Sequence, residues 1–129
     1  MRCYVFSGIA KGVLEDIIRR NVRTIELRSA HNVATALRVN LGDCVFLTYS
    51  KTRDLDRGVS GVIAEVSGKE IAHQSLFYAS PHYVEESEMA VVRLRINPKG
   101  VGRIIQIKIR DILDAIEAEV VEVTSFTAW

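Results

Sequence analysis

Cysteine, proline and aromatic residues are scarce in this sequence: it has two cysteines, two prolines and 7% aromatic residues. Long apolar runs are also missing, since none approaches the roughly 20 residues that a helix needs to cross a bilayer. The first residues lack the apolar stretch and the small-residue cleavage site of a signal peptide. These absences predict a cytoplasmic protein with no membrane partner.

The hydrophobic content is high enough for a core without disulfides or metal ions. Of the 129 residues, 48% are hydrophobic, and a chain of this length fits one domain, so we expect a single domain over residues 1–129. Cys3 and Cys44 lie in apolar, strand-like segments, and a reducing cytoplasm would keep them as buried thiols. We therefore expect no disulfide.

Motifs for metals and cofactors are missing as well. His31, His73 and His82 show no ligand spacing with one another or with the cysteines. The sequence has no glycine-rich dinucleotide loop, Walker loop or nucleophile elbow. It therefore predicts neither a metal site nor a cofactor.

The net charge of +1 conceals a segmented distribution. Residues 93–110 carry six basic and no acidic side chains, whereas residues 111–129 carry five acidic and no basic ones. Twelve arginines against five lysines favour sites that need planar donors for a phosphate, a carboxylate or a base edge. Ion pairing between the basic segment and the acidic segment is the competing explanation.

Periodicity and turn signals predict a mixed α+β fold in which short strands outnumber helices. The expected strands cover residues 4–6, 22–28, 44–49, 59–74, 89–96, 103–109 and 120–126. The expected helices cover residues 9–20, capped by Ser7 or Gly8 and ended by Asn21, residues 32–38, capped by Asn32, and residues 109–116. Residues 51–58 and 75–87 are expected to be loops, and residues 97–102 a hairpin connector. So many short strands favour a small mixed β-barrel with flanking short helices.

The apolar positions of the first helix and of the strands are expected to share one core. The predicted core consists of Ile9, Val13, Ile17, Val45, Leu47, Val62, Val66, Val92 and Leu94. Phe126 and Trp129 add apolar bulk near the C-terminal end and should dock on the barrel or on a partner subunit. An interaction module that forms a homodimer through this segment is one alternative for the function.

Two charged residues share a face of the strand predicted over residues 22–28. Period-two alternation places Thr24, Glu26 and Arg28 on one face of that strand. A solvated surface salt bridge between Glu26 and Arg28 is the structural explanation. The functional explanation is a polar site beside the mouth of the barrel, close to the Gly-Asp turn at residues 42–43.

The order of a basic residue at position 23, Glu-x-Arg at 26–28 and Gly-Asp at 42–43 resembles the ASCH branch of the PUA-like superfamily, small barrels associated with RNA. The specific part of the resemblance covers about residues 19–66, and the chain is similar to uncharacterised archaeal proteins of this kind. The resemblance implies a PUA-like barrel whose pocket contacts a nucleobase or phosphate through Arg23, Glu26 and Arg28.

One departure from the family concerns catalysis. ASCH-like amidohydrolases that deacylate modified cytidine have a Lys-Thr pair on this strand and a Glu on a later strand. Here Arg23 stands at the Lys position and Glu26 at the Thr position, while Glu65 matches the later Glu. Arginine stays protonated near neutral pH and cannot act as a base. Binding of a related ligand is therefore expected rather than hydrolysis; an amidohydrolase that uses Lys51 or Glu65 as its base is the alternative.

A second basic surface lies within residues 91–109. Arg93 and Arg95 share a strand face, and Lys99 lies in the glycine-rich connector, where main-chain donors could bind a phosphate. These three residues extend the electrostatic footprint expected for RNA. The predicted function is therefore RNA or nucleotide binding without catalysis, through Arg23, Glu26, Arg28, Glu65, Arg93, Arg95 and Lys99.

Overall fold

The computed structural model describes residues 1–79, 84–109 and 115–123, which form a mixed α+β fold of two α-helices and a six-stranded sheet. In chain order the elements are β1 Arg2–Phe6, α1 Lys11–Arg19, β2 Thr24–Leu27, α2 Ala30–Arg38, β3 Cys44–Leu47, a 3₁₀ turn Thr52–Asp54, β4 Ser60–Ala79, β5 Val84–Ile109 and β6 Glu117–Glu122. The predicted α+β class is confirmed. Neither of these α-helices is long and apolar enough to cross a membrane.

The sheet has the strand order β2-β5-β4-β3-β1-β6, and β6 pairs with β5 as well as with β1. The pair β1–β3 is parallel, whereas the other pairs are antiparallel. One edge of β5 pairs with β4, and the other pairs first with β2 and then with β6. The pairings therefore run in a ring through β5, β4, β3, β1 and β6. Strand β2 lies outside this ring and pairs with β5 alone among the described residues.

Strand β5 continues through the segment that was predicted to be a hairpin connector. The register shifts between Ile63, opposite Gly100, and Ala64, opposite Pro98, so that Lys99 is the extra residue of a β-bulge. The hairpin prediction was wrong because proline and glycine mark bulges as well as turns. Bulges bend a strand, and this one lies between the part of β5 that pairs with β2 and the part that pairs with β6.

Most of the loop predicted over residues 75–87 is also strand. Strands β4 and β5 stay paired out to Ala79 and Val84, and residues 80–83 lie outside the described residues. The helix predicted over residues 109–116 falls mostly on residues 110–114, outside the described residues, and β5 extends to Ile109. The last strand begins at Glu117 rather than at residue 120, and both Phe126 and Trp129 lie outside the described residues.

Alternating side chains of β1 and β3 divide the core into two clusters. Phe6 and Leu47 pack with the helices, while Val5 and Phe46 pack on the other face with Ile104. The predicted core residues Ile9, Ile17, Val45, Leu47, Val62, Val66, Val92 and Leu94 are buried. Val13 is 38% exposed, so its assignment to the core was wrong: helix α1 buries Leu14 and Ile17 instead.

The starts of both helices differ from the prediction. Helix α1 begins after Ala10, with no side-chain cap, because Ser7 and Gly8 belong to the loop after β1 and bond to other segments. Asn21 has a φ of 57°, the left-handed conformation expected beyond the helix end. Helix α2 is capped by Ser29, whose Oγ accepts a hydrogen bond from the N–H of Asn32 at 3.3 Å. Asn32 was therefore wrongly predicted to be the cap.

Cys3 and Cys44 form a disulfide, which corrects the expectation of free thiols. In the parallel pair β1–β3, Tyr4 lies opposite Val45, which places the two preceding cysteines side by side with their Cα atoms 4.6 Å apart. This separation lies within the range that a disulfide can bridge. The expectation failed because it rested on the redox compartment and could not see that the two segments are neighbouring strands.

Candidate functional site

A cavity of about 460 Å³ lies at the end of the fold where β1 and β3 finish. We call it the β2 cavity, because residues 25–27 of β2 and Arg28, which follows the strand, form one of its walls. Its lining consists of Ser7, Gly8, Ile9, Ala10, Val13, Ile25, Glu26, Leu27, Arg28, Ser29, His31, Asn32, Lys51 and Thr52. Ligand sites of proteins commonly have this size and this mixture of apolar and polar side chains.

The topology explains why these segments meet. Strands β1 and β3 are parallel, so the segments that follow them, which contribute residues 7–10 and 51–52 to the lining, leave the sheet at the same edge. Alternation along β2 buries Ile25 and Leu27 and leaves Glu26 and Arg28 exposed. The first turn of α2 completes the wall. The cavity therefore combines an apolar floor with a charged rim.

The Glu26 carboxylate is held by two arginines. Arg28 Nη2 donates to Oε2 at 2.9 Å, and Arg93 Nε donates to Oε1 at 3.0 Å from the strand position directly opposite. Arg93 also lies 3.6 Å from Glu70 on its other side. The hydrogen bond from Arg28, followed by that from Arg93, lowers the pKa of Glu26 below its ordinary value. Glu26 is therefore ionised at neutral pH and is a weak proton acceptor.

Asn32 joins three segments behind the cavity. Its Oδ1 accepts a hydrogen bond from the Ser7 N–H at 3.2 Å, and its Nδ2 donates to the Ser7 carbonyl at 2.8 Å. The Ser7 hydroxyl lies 2.6 Å from the Thr52 hydroxyl, which brings in the segment after β3. Because Asn32 is only 5% exposed, these bonds are shielded from water. The side chain fixes the position of the cavity's back wall.

His31 contributes an unsatisfied group to the same cavity. Its Nε2 atom is buried and has no hydrogen-bond partner, and it is the one side-chain atom in this condition among the described residues. Buried polar atoms without partners are uncommon in native proteins and call for an explanation, such as a ligand. From the sequence, His31 was weighed only as a possible metal ligand. No signal short of the fold itself would have identified it or Asn32.

The structure brings together only part of the predicted binding set. Glu26, Arg28 and Arg93 form one cluster, whose first two members line the β2 cavity. Arg23 does not line the cavity, and its Nε donates to the Asn21 side chain at 3.3 Å. Arg95 borders a second pocket of about 160 Å³, which it shares with Arg93 and which is also lined by Thr24, Gly68, Lys69 and Glu70.

Glu65 and Lys99 lie elsewhere on the sheet. Their side chains approach to 3.7 Å, and neither lines the β2 cavity. Both are about half exposed, and exposed pairs of this kind add little stability. Arg23, Glu26, Arg28 and Glu65 therefore do not line one common pocket.

The Gly-Asp turn lies directly before β3, at the opposite end of that strand from the β2 cavity. Gly42 adopts a φ of 90°, and Asp43 accepts a hydrogen bond from the Asn40 N–H at 2.8 Å through Oδ2. The turn precedes β3, whereas the cavity lies beyond the end of β3. Its position is thus that of a structural turn between α2 and β3, and neither Gly42 nor Asp43 lines the β2 cavity.

Charge compensation of the basic segment comes from neighbouring strands. Arg93 pairs with Glu26 of β2 and Glu70 of β4, and Lys99 pairs with Glu65 of β4. Among the acidic residues of the C-terminal segment, Glu117 pairs with Arg2 at 3.0 Å. The pKa of Glu119, in the same segment, is lowered first by the hydrogen bond from the Met1 amino group and to a smaller extent by the charge of Lys108. In the part of the chain that the structure describes, the expected interaction between residues 93–110 and 111–129 is thus accompanied by pairs across β2, β4 and β5.

Comparison with known proteins identifies related sequences without an assigned activity. A family model described as "Protein of unknown function (DUF473)" matches residues 1–118. A curated relative from Methanocaldococcus jannaschii, described as "Uncharacterized protein MJ0105", is 24% identical over 106 residues. The match covers 82% of this chain and 66% of that relative, so the chain spans just under two thirds of its length. No solved structure matches the chain.

Proposed function

The chain belongs to the DUF473 family of proteins of unknown function, and we propose from the geometry of its site that it binds a nucleotide, free or within RNA, in the β2 cavity. The observation that carries this proposal is the charged rim of Glu26, Arg28 and Lys51 around an apolar floor. A nucleotide needs this combination, because its base has an apolar face and its phosphate is an anion.

The cavity matches the parts of a nucleotide one by one. Val13, which is 38% exposed, lines the cavity with the buried residues Ile9, Ile25 and Leu27 and offers an apolar surface for the face of a base. Among the described residues, Arg28 uses one of its five N–H donors on Glu26, and the others are available for a phosphate. Lys51 adds a second cation at the rim and has no ion pair among the described residues. Since Glu26 is held ionised, it orients Arg28 rather than exchanging protons.

The fold is consistent with the proposed family resemblance. Five strands pair in a ring and two short helices lie against the sheet, which is the arrangement expected of a PUA-like barrel. Such a barrel would place the β2 cavity at one of its ends. We propose the ASCH-type assignment on this basis, together with the residues at positions 23–28.

The second basic surface would extend the footprint for RNA. Arg95 lies opposite Thr24 of β2 and Gly68 of β4, so both of its cross-strand neighbours are uncharged. Arg93, in contrast, lies between Glu26 and Glu70. Arg95 is thus the cation of this surface with the most to gain from a phosphate, and it shares a sheet face with the rim of the β2 cavity.

Fluorescence anisotropy with labelled single-stranded RNA tests the proposal. Losing a charge-assisted hydrogen bond costs about 1.5–3 kcal/mol, so Arg28→Ala should weaken binding by about tenfold or more. The matched control is Arg57→Ala, which removes an exposed arginine outside the cavity. Arg95→Ala should lower the salt slope by about 0.7, the counterion release expected for one phosphate on a single strand. Absence of RNA and nucleotide binding by the wild type at low salt would refute the proposal.

An amidohydrolase acting on a modified nucleoside is the second candidate. The observation in its favour is that Lys51, one of the two bases considered, lines the same cavity as Ser7 and Thr52, whose hydroxyls contact each other at 2.6 Å. Against it, Glu65 does not line the cavity and the lowered pKa of Glu26 makes it a weak base. Turnover of an acylated cytidine that disappears in Lys51→Ala would establish this candidate.

A further inference from the structure

The free edge of β2 exposes main-chain groups of known identity. The Ile96 N–H donates to the Arg23 carbonyl at 2.7 Å, which marks these opposite residues as a hydrogen-bonded pair. In an antiparallel ladder such pairs alternate with pairs that do not exchange hydrogen bonds. The groups of Ile25 and Leu27 therefore point toward β5, and those of Thr24 and Glu26 point away from it.

The Glu26 main chain faces the β2 cavity. Residues 25–28 line this cavity, and none of the β5 residues whose side chains the structure describes does, so the cavity lies on the unpaired side of β2. Among the described residues, neither the N–H nor the C=O of Glu26 forms a hydrogen bond on that side. In an extended residue these two groups point the same way, so Glu26 presents a donor and an acceptor side by side.

The buried Nε2 of His31 is a third unsatisfied group in the same cavity. A buried ring nitrogen without a partner carries a desolvation cost that nothing in the protein offsets. Three hydrogen-bonding groups without partners thus lie around one apolar floor. The Glu26 carboxylate is not among them, since Arg28 and Arg93 already occupy its two oxygens.

We infer that the main chain of Glu26, together with His31 Nε2, reads the edge of an unpaired nucleobase. This inference rests on the proposed nucleotide binding and deepens it. A base edge presents neighbouring donors and acceptors in one plane, which suits the adjacent N–H and C=O of one residue. Base selection is then carried by the backbone and by His31, and the charged side chains of the rim bind phosphate.

An added peptide strand is the other ligand that an unpaired edge can take. Strand β2 has four residues, and the β2 cavity is bounded by the turns that contain Gly8, Ser29 and Lys51. A compact planar ligand fits within these bounds, whereas a strand would have to continue past Thr24, which lies outside the cavity. The geometry therefore favours the base.

The test compares proline and alanine at position 26. Proline is tolerated on an edge strand where its missing N–H faces away from the ladder. Glu26→Ala removes the carboxylate and keeps the N–H, whereas Glu26→Pro removes both, so their difference reports the N–H. Thr24→Pro is the matched control, because Thr24 lies on the same free edge but outside the β2 cavity.

The probes are the four ribonucleoside 5′-monophosphates, titrated into the intact protein and followed by NMR. We expect the Glu26 amide signal to move downfield with the preferred nucleotide, and Glu26→Pro to bind it about tenfold more weakly than Glu26→Ala. Thr24→Pro should bind like the wild type. His31→Phe should bind at least about fivefold more weakly with an unchanged or higher Tm, because it removes an unsatisfied buried atom.

Three results would overturn the inference. Nucleotide binding with an unmoved Glu26 amide and equal affinities of Glu26→Pro and Glu26→Ala would remove the main-chain contact and leave the proposed function standing. If neither the four nucleotides nor single-stranded RNA binds, both this inference and the proposed function are wrong. Protection of the Thr24 and Glu26 amides alike by an extended peptide would assign the edge to strand addition. The wild-type amide shift keeps the test valid even if Glu26→Pro fails to fold.

Discussion

Replacing Asn32 by alanine should destabilise the protein more than most polar substitutions. The side chain is 5% exposed and bonds to both main-chain groups of Ser7, at 3.2 and 2.8 Å. Ser7 is itself buried, so Asn32→Ala leaves a donor and an acceptor without partners. Each such group costs about 1–3 kcal/mol, so two of them give a total of about 2–6 kcal/mol. This is a large share of the roughly 5–15 kcal/mol that stabilises a typical domain.

Equilibrium denaturation in urea measures this loss. The control is Asn40→Ala, because the Asn40 side chain is exposed and forms no hydrogen bond among the described residues. This substitution should change the free energy of unfolding by at most about 0.5 kcal/mol. Asn32→Asp is a second variant: its carboxylate can still accept from the Ser7 N–H but opposes the Ser7 carbonyl. It should be destabilised at neutral pH and recover in acid, where a protonated carboxyl can donate.

Free energies of unfolding of Asn32→Ala and Asn40→Ala that agree within about 0.5 kcal/mol would contradict this role of Asn32. In that case water or a shift of the loop would satisfy Ser7 and the cavity would not depend on Asn32. Folded Asn32→Ala should also bind nucleotide more weakly than the wild type, because the segment after β1 loses its anchor to α2. Unchanged affinity in a destabilised protein would separate the role of Asn32 in the fold from its role in the site.

Three further predictions concern the core, catalysis and pH. Leu47→Ala should lower the free energy of unfolding by about 2–4 kcal/mol through a cavity in the core, and Val13→Ala, at an exposed position, by much less; equal effects in chemical denaturation would contradict the core assignment. Acylated cytidine should show little or no hydrolysis when its products are followed by chromatography, since Arg23 replaces the lysine of the related amidohydrolases; robust turnover lost in Glu65→Gln or Lys51→Ala would reverse this. The pKa of Glu26 is lowered in the folded state, so its contribution to stability is complete above the ordinary value of 4.5 and is lost as the pH falls below it. Glu26→Gln should therefore lose less Tm than the wild type as the pH is lowered into the acid range. An equal decrease of Tm with pH in both proteins would show that the arginines do not hold the carboxylate.

Features that depend on neighbours along the chain could be predicted from the sequence. Alternation along β2 places Glu26 and Arg28 on one face, and their side chains do form an ion pair. The same periodicity identifies Leu47 and Leu94 as core residues. These inferences succeed because strand and helix periods relate residues two to four positions apart, and that relation holds whatever the rest of the chain does.

Features that depend on the pairing of distant strands could not be predicted in this way. Arg93 reaches Glu26 only through the antiparallel register of β2 and β5. The disulfide likewise depends on the parallel pairing of β1 with β3. The role of Asn32 depends on where α2 rests against the loop after β1. In each case the local sequence is compatible with several partners, and tertiary packing selects one.

The pairing of β1 with β6 has a consequence for how the chain folds. Arg2 lies opposite Glu119, so the ring of strands closes only when segments from opposite parts of the sequence meet. Bringing such segments together costs chain entropy before the contacts between them form and stabilise the fold. Topologies of this kind therefore fold slowly. Until β6 arrives, β1 and β5 each expose an unpaired edge, which is a template for association between molecules. We therefore expect aggregation during refolding to continue until residues 117–122 have paired. A chain that ends before Glu117 should associate more readily, even where the helices and the β4–β5 pair still form.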